Sequence, residues 1–204
     1  AGAAILDFVK GVAVSADGTT LASGSGDATV RLWDLTTGRS IEELRGHAAG
    51  VNAVAIAPDG STIVSGSADR TVKIWERKNG RTVRTLEGHR DFVNAVAVSP
   101  DGSLLASGDE AHLVKLWRVS TGREVRTLSG PDAWISSLAF SADGKRIICG
   151  SFDGGVRAWN STTGESVFAV REPQGVLCLA NVGTTGAIAV SGIGRVVCIR
   201  DGGT

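Results

Sequence analysis

Apolar and polar positions alternate along this chain in short runs with a period of two. Residues 51–88 show the pattern. "VNAVAIAP" alternates apolar and small residues and ends in the Pro-Asp-Gly turn at 58–60. "STIVSGS" predicts a second strand, "ADR" a tight turn, "TVKIWE" a third strand, "RKNG" another turn and "RTVRTLEG" a fourth strand. A two-residue period bounded by Gly, Asn and Asp is the signature of strands in an antiparallel meander. No helical stripe of useful length occurs anywhere in the chain.

The unit then repeats. Trp33, Trp75, Trp117 and Trp159 lie 42 residues apart, as do the turn glycines Gly38, Gly80, Gly122 and Gly164. The Asp-Gly pairs beginning at Asp17, Asp59, Asp101 and Asp143 keep the same step. A period of about 40–45 residues marks a blade-type repeat. The repeats fall at approximately 1–45, 46–87, 88–129, 130–171 and 172–204. The fifth is degraded: it keeps Gly186 but has Ile199 where Trp is expected, and is two residues short near "SGIGR". One four-stranded sheet alone would leave both faces wet. Stacking copies around an axis buries them, so the expected fold is all-β, a β-propeller of about five four-stranded antiparallel blades. Ala13, Ala55, Ala97, Ala139 and Ala180 then sit on first strands nearest the axis, where blades crowd. Complete fourth strands are present only at 39–46, 81–88, 123–130 and 165–172. This predicts an incomplete ring with open edges that pair with another chain.

Composition narrows the class. Lys and Arg together equal Asp and Glu, so no global field recruits nucleic acid or anionic lipid. No apolar run reaches the roughly 18 residues that would span a bilayer, and no signal peptide is visible. Cys149, Cys178 and Cys198 lie in strand-like apolar contexts without a Cys-x-x-Cys pair. They read as buried reduced thiols in an intracellular, cytoplasmic protein rather than as disulfides or zinc ligands.

The stretches "GHAAGVNAVAIAPDGSTIVSGSADRTVKIWE" (46–76) and "GHRDFVNAVAVSPDGSLLASG" (88–108) closely resemble the WD-repeat family, and the resemblance covers nearly the whole chain. It implies a propeller, usually of seven blades, acting as a non-catalytic platform for other proteins or peptides. The chain is then expected to be a segment of a larger ring. The resemblance also implies a hydrogen-bonded tetrad in each blade. Its members here are His47, Ser65, Asp69 and Trp75 in the second repeat. The third keeps His89, Ser107 and Trp117, with Ala111 at the Asp position and Asp109 and Glu110 displaced from it. The first keeps Ser23, Asp27 and Trp33, with Ile5 for His; the fourth keeps Asp153 and Trp159, with Cys149 for Ser and Pro131 for His. Bonding is therefore expected to weaken from the second repeat toward both ends.

Ser65, His47 and Asp69 also read as a hydrolase triad, but such triads are defined by geometry, and similar sets recur here beside a Trp that needs them. There is no Gly-x-Ser-x-Gly elbow and no His-Glu-x-x-His metal pair. No cofactor is expected. His112 reads as a solvated turn residue, and "SGSGDATV" and "GSFDGG" open no helix that would cradle phosphate. Arg31, Lys73, Lys115 and Arg157 read as structural, their stems over the blade and their charges at its edge.

That leaves the loops. The candidate partner-binding residues flank or open the first strands: Phe8 and Lys10, Asn52, Phe92 and Asn94, Trp134 and Ser136, with Phe152 beside the Asp153 turn. Aromatic residues at one rim are typical anchors of a protein interface, whereas the competing reading has them plug the axial channel. The expected function is a protein-interaction scaffold. The alternative is a regulatory propeller of a larger multidomain signalling protein whose catalytic domain lies elsewhere. An enzymatic propeller would need a polar, metal-bearing axial pocket that these repeats do not encode.

Overall fold

The structure is a computed structural model that describes residues 8–182, 187–192 and 195–199, with side chains described at 8–180 and 189–192. Ile5, Gly186 and the side chains of Cys198 and Ile199 lie outside this set. Of the expected buried thiols, Cys149 is buried, whereas Cys178 is exposed, two residues on from the buried Val176 across the bulge of its strand. Among the described residues there are strands but no helix, and hence no helix long and apolar enough to cross a membrane.

Five antiparallel sheets follow one another along the chain. Blade one is β1 (Val9–Val14), β2 (Thr20–Ser25), β3 (Thr29–Asp34) and β4 (Ser40–Arg45). Blade two is β5 (Val51–Ile56), β6 (Thr62–Ser67), β7 (Val72–Glu76) and β8 (Arg81–Leu86). Blade three is β9 (Val93–Val98), β10 (Leu104–Asp109), β11 (Val114–Arg118) and β12 (Glu124–Leu128). Blade four is β13 (Ile135–Phe140), β14 (Arg146–Ser151), β15 (Gly155–Asn160) and β16 (Ser166–Arg171). A three-stranded fifth sheet has β17 (Val176–Val182), β18 (Ala187–Gly192) and β19 (Arg195–Ile199). The first strands pack on one another in sequence, β1 on β5, β5 on β9, β9 on β13 and β13 on β17. They form the inner wall, as the row of small alanines requires.

The turns explain the register. The Asp-Gly glycines Gly18, Gly60, Gly102 and Gly144 all have φ near 70°, a left-handed conformation that glycine adopts without steric cost. Asp17, Asp59, Asp101 and Asp143 each accept from the amide two residues on, closing the turn from the other side.

The core lies between blades rather than within them. Ala22, Val30, Leu32 and Leu44 of blade one pack against Val51, Val54, Ile63 and Trp75 of blade two. Equivalent clusters join blades two and three, three and four, and four and five. Burying one such side chain contributes roughly 1.5–3 kcal/mol. A junction of eight therefore outweighs any single hydrogen bond across it.

Candidate functional site

The polar tetrads determine how the loops are held. In blade two the Trp75 indole N–H donates to Ser65 Oγ at 2.8 Å, and Ser65 lies 2.8 Å from His47 Nε2. His47 Nδ1 lies 2.7 Å from Asp69 Oδ2. One proton arrangement satisfies all three contacts: Ser65 donates to Nε2, and Nδ1–H donates to the carboxylate. Asp69 also accepts from the amides of Ala48 and Thr71, both at 2.9 Å. Burial alone would raise the Asp69 pKa, but the Thr71 hydroxyl, the Ala48 amide and His47 outweigh it and hold the carboxyl at about 2. Burial pushes the His47 imidazole below its usual value, with Asp69 opposing only in part.

Blade three departs from the sequence expectation. Ala111 does not leave the tetrad without an acid, because Asp109 supplies one from two residues upstream. Its carboxylate lies 2.8 Å from His89 Nδ1 and accepts from the amides of Arg90 at 3.4 Å and Leu113 at 2.9 Å. These are the counterparts of three of the four donors that Asp69 meets; the fourth, the Thr71 hydroxyl, has none, because Leu113 stands at its place. Trp117 and His89 meet Ser107 at 2.7 and 2.6 Å. Hydrogen bonding thus stays complete through blades two and three instead of falling away after blade two.

The outer blades differ as their residues require. In blade one Trp33 donates to Ser23 at 2.8 Å, while Asp27 turns to Thr29 and to an ion pair with Arg31. Burial opposes ionisation of Asp27, but Thr29 and Arg31 hold it at about 2. In blade four Cys149 takes the serine place beside Trp159, and burial pushes its thiol up to about 12, so it is neither nucleophile nor charged acceptor. Asp153 there accepts from Ser151 Oγ at 2.5 Å and the Gly155 amide at 3.0 Å. Lys115 departs from the expected edge position: it is buried, donates to Glu124 and Thr127, and lies 5.8 Å from the Trp117 ring centroid.

A catalytic reading of Ser65 does not fit this geometry. Its hydroxyl is fully buried and committed both to Trp75 and to His47. Among the described residues no three His, Cys, Asp or Glu side chains converge as a metal site. A groove of about 560 Å³ opens between the Asp-Gly turns of blades three and four, but its Asp101 and Asp143 carboxylates are engaged in their own turns.

The rim at the other end of the inner strands gathers most of the candidate partner residues. Every first strand begins with a β-bulge that leaves one residue unpaired: Lys10, Asn52, Asn94, Ser136 and Leu177. A bulge re-aims a side chain. Here it builds a ladder across three blades. Lys10 Nζ donates to Asn52 Oδ1 at 2.9 Å, Asn52 Nδ2 to Asn94 Oδ1 at 3.0 Å, and Asn94 Nδ2 to Glu110 Oε1 at 3.0 Å. Ser136 is too short to continue it, and its Oγ is buried without a hydrogen-bond partner. Leu177 ends the polar series. Leu177 is not singled out by the sequence, and Glu110 is noted there only as displaced from the tetrad position; the bulge register identifies the first and the hydrogen bond from Asn94 the second.

Above this ladder stand the aromatics. Phe8, Phe92, Trp134 and Phe152 are all exposed. Trp134 and Phe152 meet edge to face with ring centroids 5.9 Å apart, joined by a hydrogen bond from the Phe152 amide to the Trp134 carbonyl. The Lys10 ammonium lies 5.4 Å from the Phe8 ring centroid. Neighbouring turns carry non-glycine residues in the left-handed region, Ala28, Arg70 and His112, where blade four has Gly154. His112 is thus a half-buried turn residue rather than a freely solvated one. A family model described as the IFT122 first beta-propeller matches residues 8–197.

Proposed function

The chain belongs to the IFT122 first beta-propeller family, and from that premise we propose that it is a non-catalytic scaffold that binds protein partners through the aromatic rim of its inner strands. One observation carries this reading: four large rings stand exposed at one end of the blades, the end at which a ladder of hydrogen-bonded side chains runs through blades one to three. Exposed apolar groups rimmed by polar ones mark interaction sites on soluble proteins, and aromatic anchors dominate their energetics. The rings are not needed for packing between blades, because Gly50 fills the Phe92 position in blade two. The free thiols of Cys149 and Cys178 are consistent with a reducing, cytoplasmic setting.

A second reading, that the chain is one module of a larger signalling protein, is favoured by the matched description, which names a first propeller.

Trp134→Ala and Phe92→Ala should each lower stability by less than about 1 kcal/mol, as surface changes do. Each should weaken partner binding by about 2 kcal/mol or more. Affinity capture with wild type and the double variant, with captured proteins compared by mass spectrometry beside thermal melts, checks both. A variant that melts much earlier, or that retains every partner, would make these rings packing residues.

A further inference from the structure

The junction of blades three and four departs from the repeat at the end of the Asp-Gly turns. Two residues after each third-strand tryptophan, an amide donates to the carbonyl that follows the Asp-Gly pair: Leu35 to Thr19, Arg77 to Ser61, Val119 to Ser103 and Ser161 to Lys145. These four side chains therefore stand at one place in their blades. Arg77 reaches across to blade one, donating to the Gly60 carbonyl at 3.2 Å and to Thr20 Oγ1. Val119 packs on the core between blades two and three. Ser161 is too short for either. It donates to the Gly144 carbonyl of its own blade at 2.8 Å, and the groove of about 560 Å³ between blades three and four stays open.

Two further departures line the same groove. Residue 118 takes the place of Asp34, Glu76 and Asn160, each of which accepts a hydrogen bond from its own turn. Arg118 has no acceptor to offer. Residue 145 takes the place of Thr19, Ser61 and Ser103, whose hydroxyls donate to the aspartate of the Asp-Gly pair. Lys145 keeps only the amide contact to Asp143. Among the described residues neither the Arg118 guanidinium nor the Lys145 ammonium makes a hydrogen bond or an ion pair, and both residues are exposed. Pro100, Leu104 and Val125 give the groove an apolar wall. Asp101 and Asp143 line it too, but their carboxylates are engaged: Ser99 and Ser103 hold Asp101 at about 2, and Asp143 accepts from Ser141 and the Lys145 amide. Two carboxylates beside two cations repel a densely charged anion such as a polyphosphate and leave room for single carboxylates.

We infer that this groove is a docking site separate from the aromatic rim, and that it takes a short segment of a partner protein whose apolar side chains pack on Pro100, Leu104 and Val125 and whose Asp or Glu side chains pair with Arg118 and Lys145. Blade packing does not demand these residues, because blades one and two form the same turns without them. A space of this size holds a few side chains, which fits a linear segment rather than the face of a folded domain. The apolar wall supplies the contact area, and the two unpaired cations select the acidic segment.

Panning a phage library of random dodecapeptides on the full chain, after depletion on the double variant Arg118→Glu/Lys145→Glu, tests this. The surviving peptides should be enriched in Asp and Glu beside Leu, Ile, Val or Phe. Synthesised with a fluorescent label, they should bind wild type about tenfold or more tightly than the double variant. Both substituted residues are exposed, so circular dichroism should show that variant folded. Ser161→Val, which gives blade four the side chain that blade three has in Val119, should weaken binding as much. Val125→Asp, at an exposed site, should do the same and decides the matter should Ser161→Val melt early. The peptides should bind Trp134→Ala/Phe92→Ala as they bind wild type, so failure of the rim reading leaves this result standing. No surviving peptide, survivors without acidic enrichment, or binding that Ser161→Val and Val125→Asp leave intact overturns the proposal.

Discussion

At the residue scale, the buried polar chains from Trp to Ser to His to Asp hold the loops that carry the rim. What these chains require is a carboxylate at one point in space, not an aspartate at one position in sequence. Asp69 and Asp109 reach equivalent donors from different backbone positions. Asp109→Ser should therefore cost roughly 2–4 kcal/mol, because it leaves a buried imidazole N–H and two amides without their acceptor. Adding Ala111→Asp should recover most of that loss, and urea denaturation of the three proteins measures it. The same groups set the response to acid. The folded pKa of His47 is lowered, so the unfolded chain takes up its proton first, and stability is lost as pH falls below about 6.5. Asp69 falls from an ordinary 3.8 to about 2, so its contribution is present above 3.8 and disappears between 3.8 and about 2. The urea midpoint should drop between pH 7 and pH 5 in wild type and less in His47→Gln, with a further drop below pH 4 in both.

At the element scale, each blade is a meander whose two faces have different tasks. One face carries the first-strand valine and the tryptophan; the other carries a second-strand glycine, Gly66 in blade two, which leaves room for the next blade's Val93. The bulge at the start of each first strand lets both faces work. It shifts the register by one residue, so that Val51 and Val54 both point at the preceding blade while Asn52 turns to the rim. Gly66→Ala should destabilise the protein by roughly 1–3 kcal/mol, because its methyl group has no room beside Val93. On the fifth sheet the pairing register puts Ser191 at the place of Gly150, and Ser191→Ala should alter thermal stability by much less, since Ser191 already bears a Cβ. Calorimetric melts of the two variants separate these outcomes.

At the scale of the whole molecule, stability is a sum over blades and junctions, as in other repeat arrays. Among the described residues, blades two, three and four pack extensively on a neighbour at each side, whereas blade one and the fifth sheet do so at one side. Hydrogen exchange should therefore be slowest in β6, β7, β10, β11 and β14 and fastest in β1 and β17–β19. Mass-resolved exchange at neutral pH measures it; uniform protection from β1 to β19 would mean that the chain unfolds as one unit. The same gradient bears on three of the four rim rings, Phe8 standing on blade one. Trp134, Phe152 and Phe92 lie on doubly supported blades, where a fixed backbone can present large rings to a partner without collapsing around them.

By itself the sequence determined the strands, the turns and the blade period. Each depends on contacts within about 42 residues: alternation decides the faces, and Asp-Gly turns the corners. It also marked Phe8, Phe92, Trp134 and Phe152, since rings that recur beside the same turns stand out against a chain poor in aromatics. The tertiary structure decided what depends on one residue of register. Which residue a bulge ejects, and hence the ladder from Lys10 to Glu110, follows from strand pairing that leaves no local trace. That Asp109 reaches the site meant for residue 111 follows from side-chain direction at a strand end. And that Ser191, rather than Gly192, takes the place of Gly150 on the fifth sheet follows from a first strand paired one residue out of the 42-residue step. Side chains on a strand alternate between faces, so a shift of one residue exchanges buried for exposed.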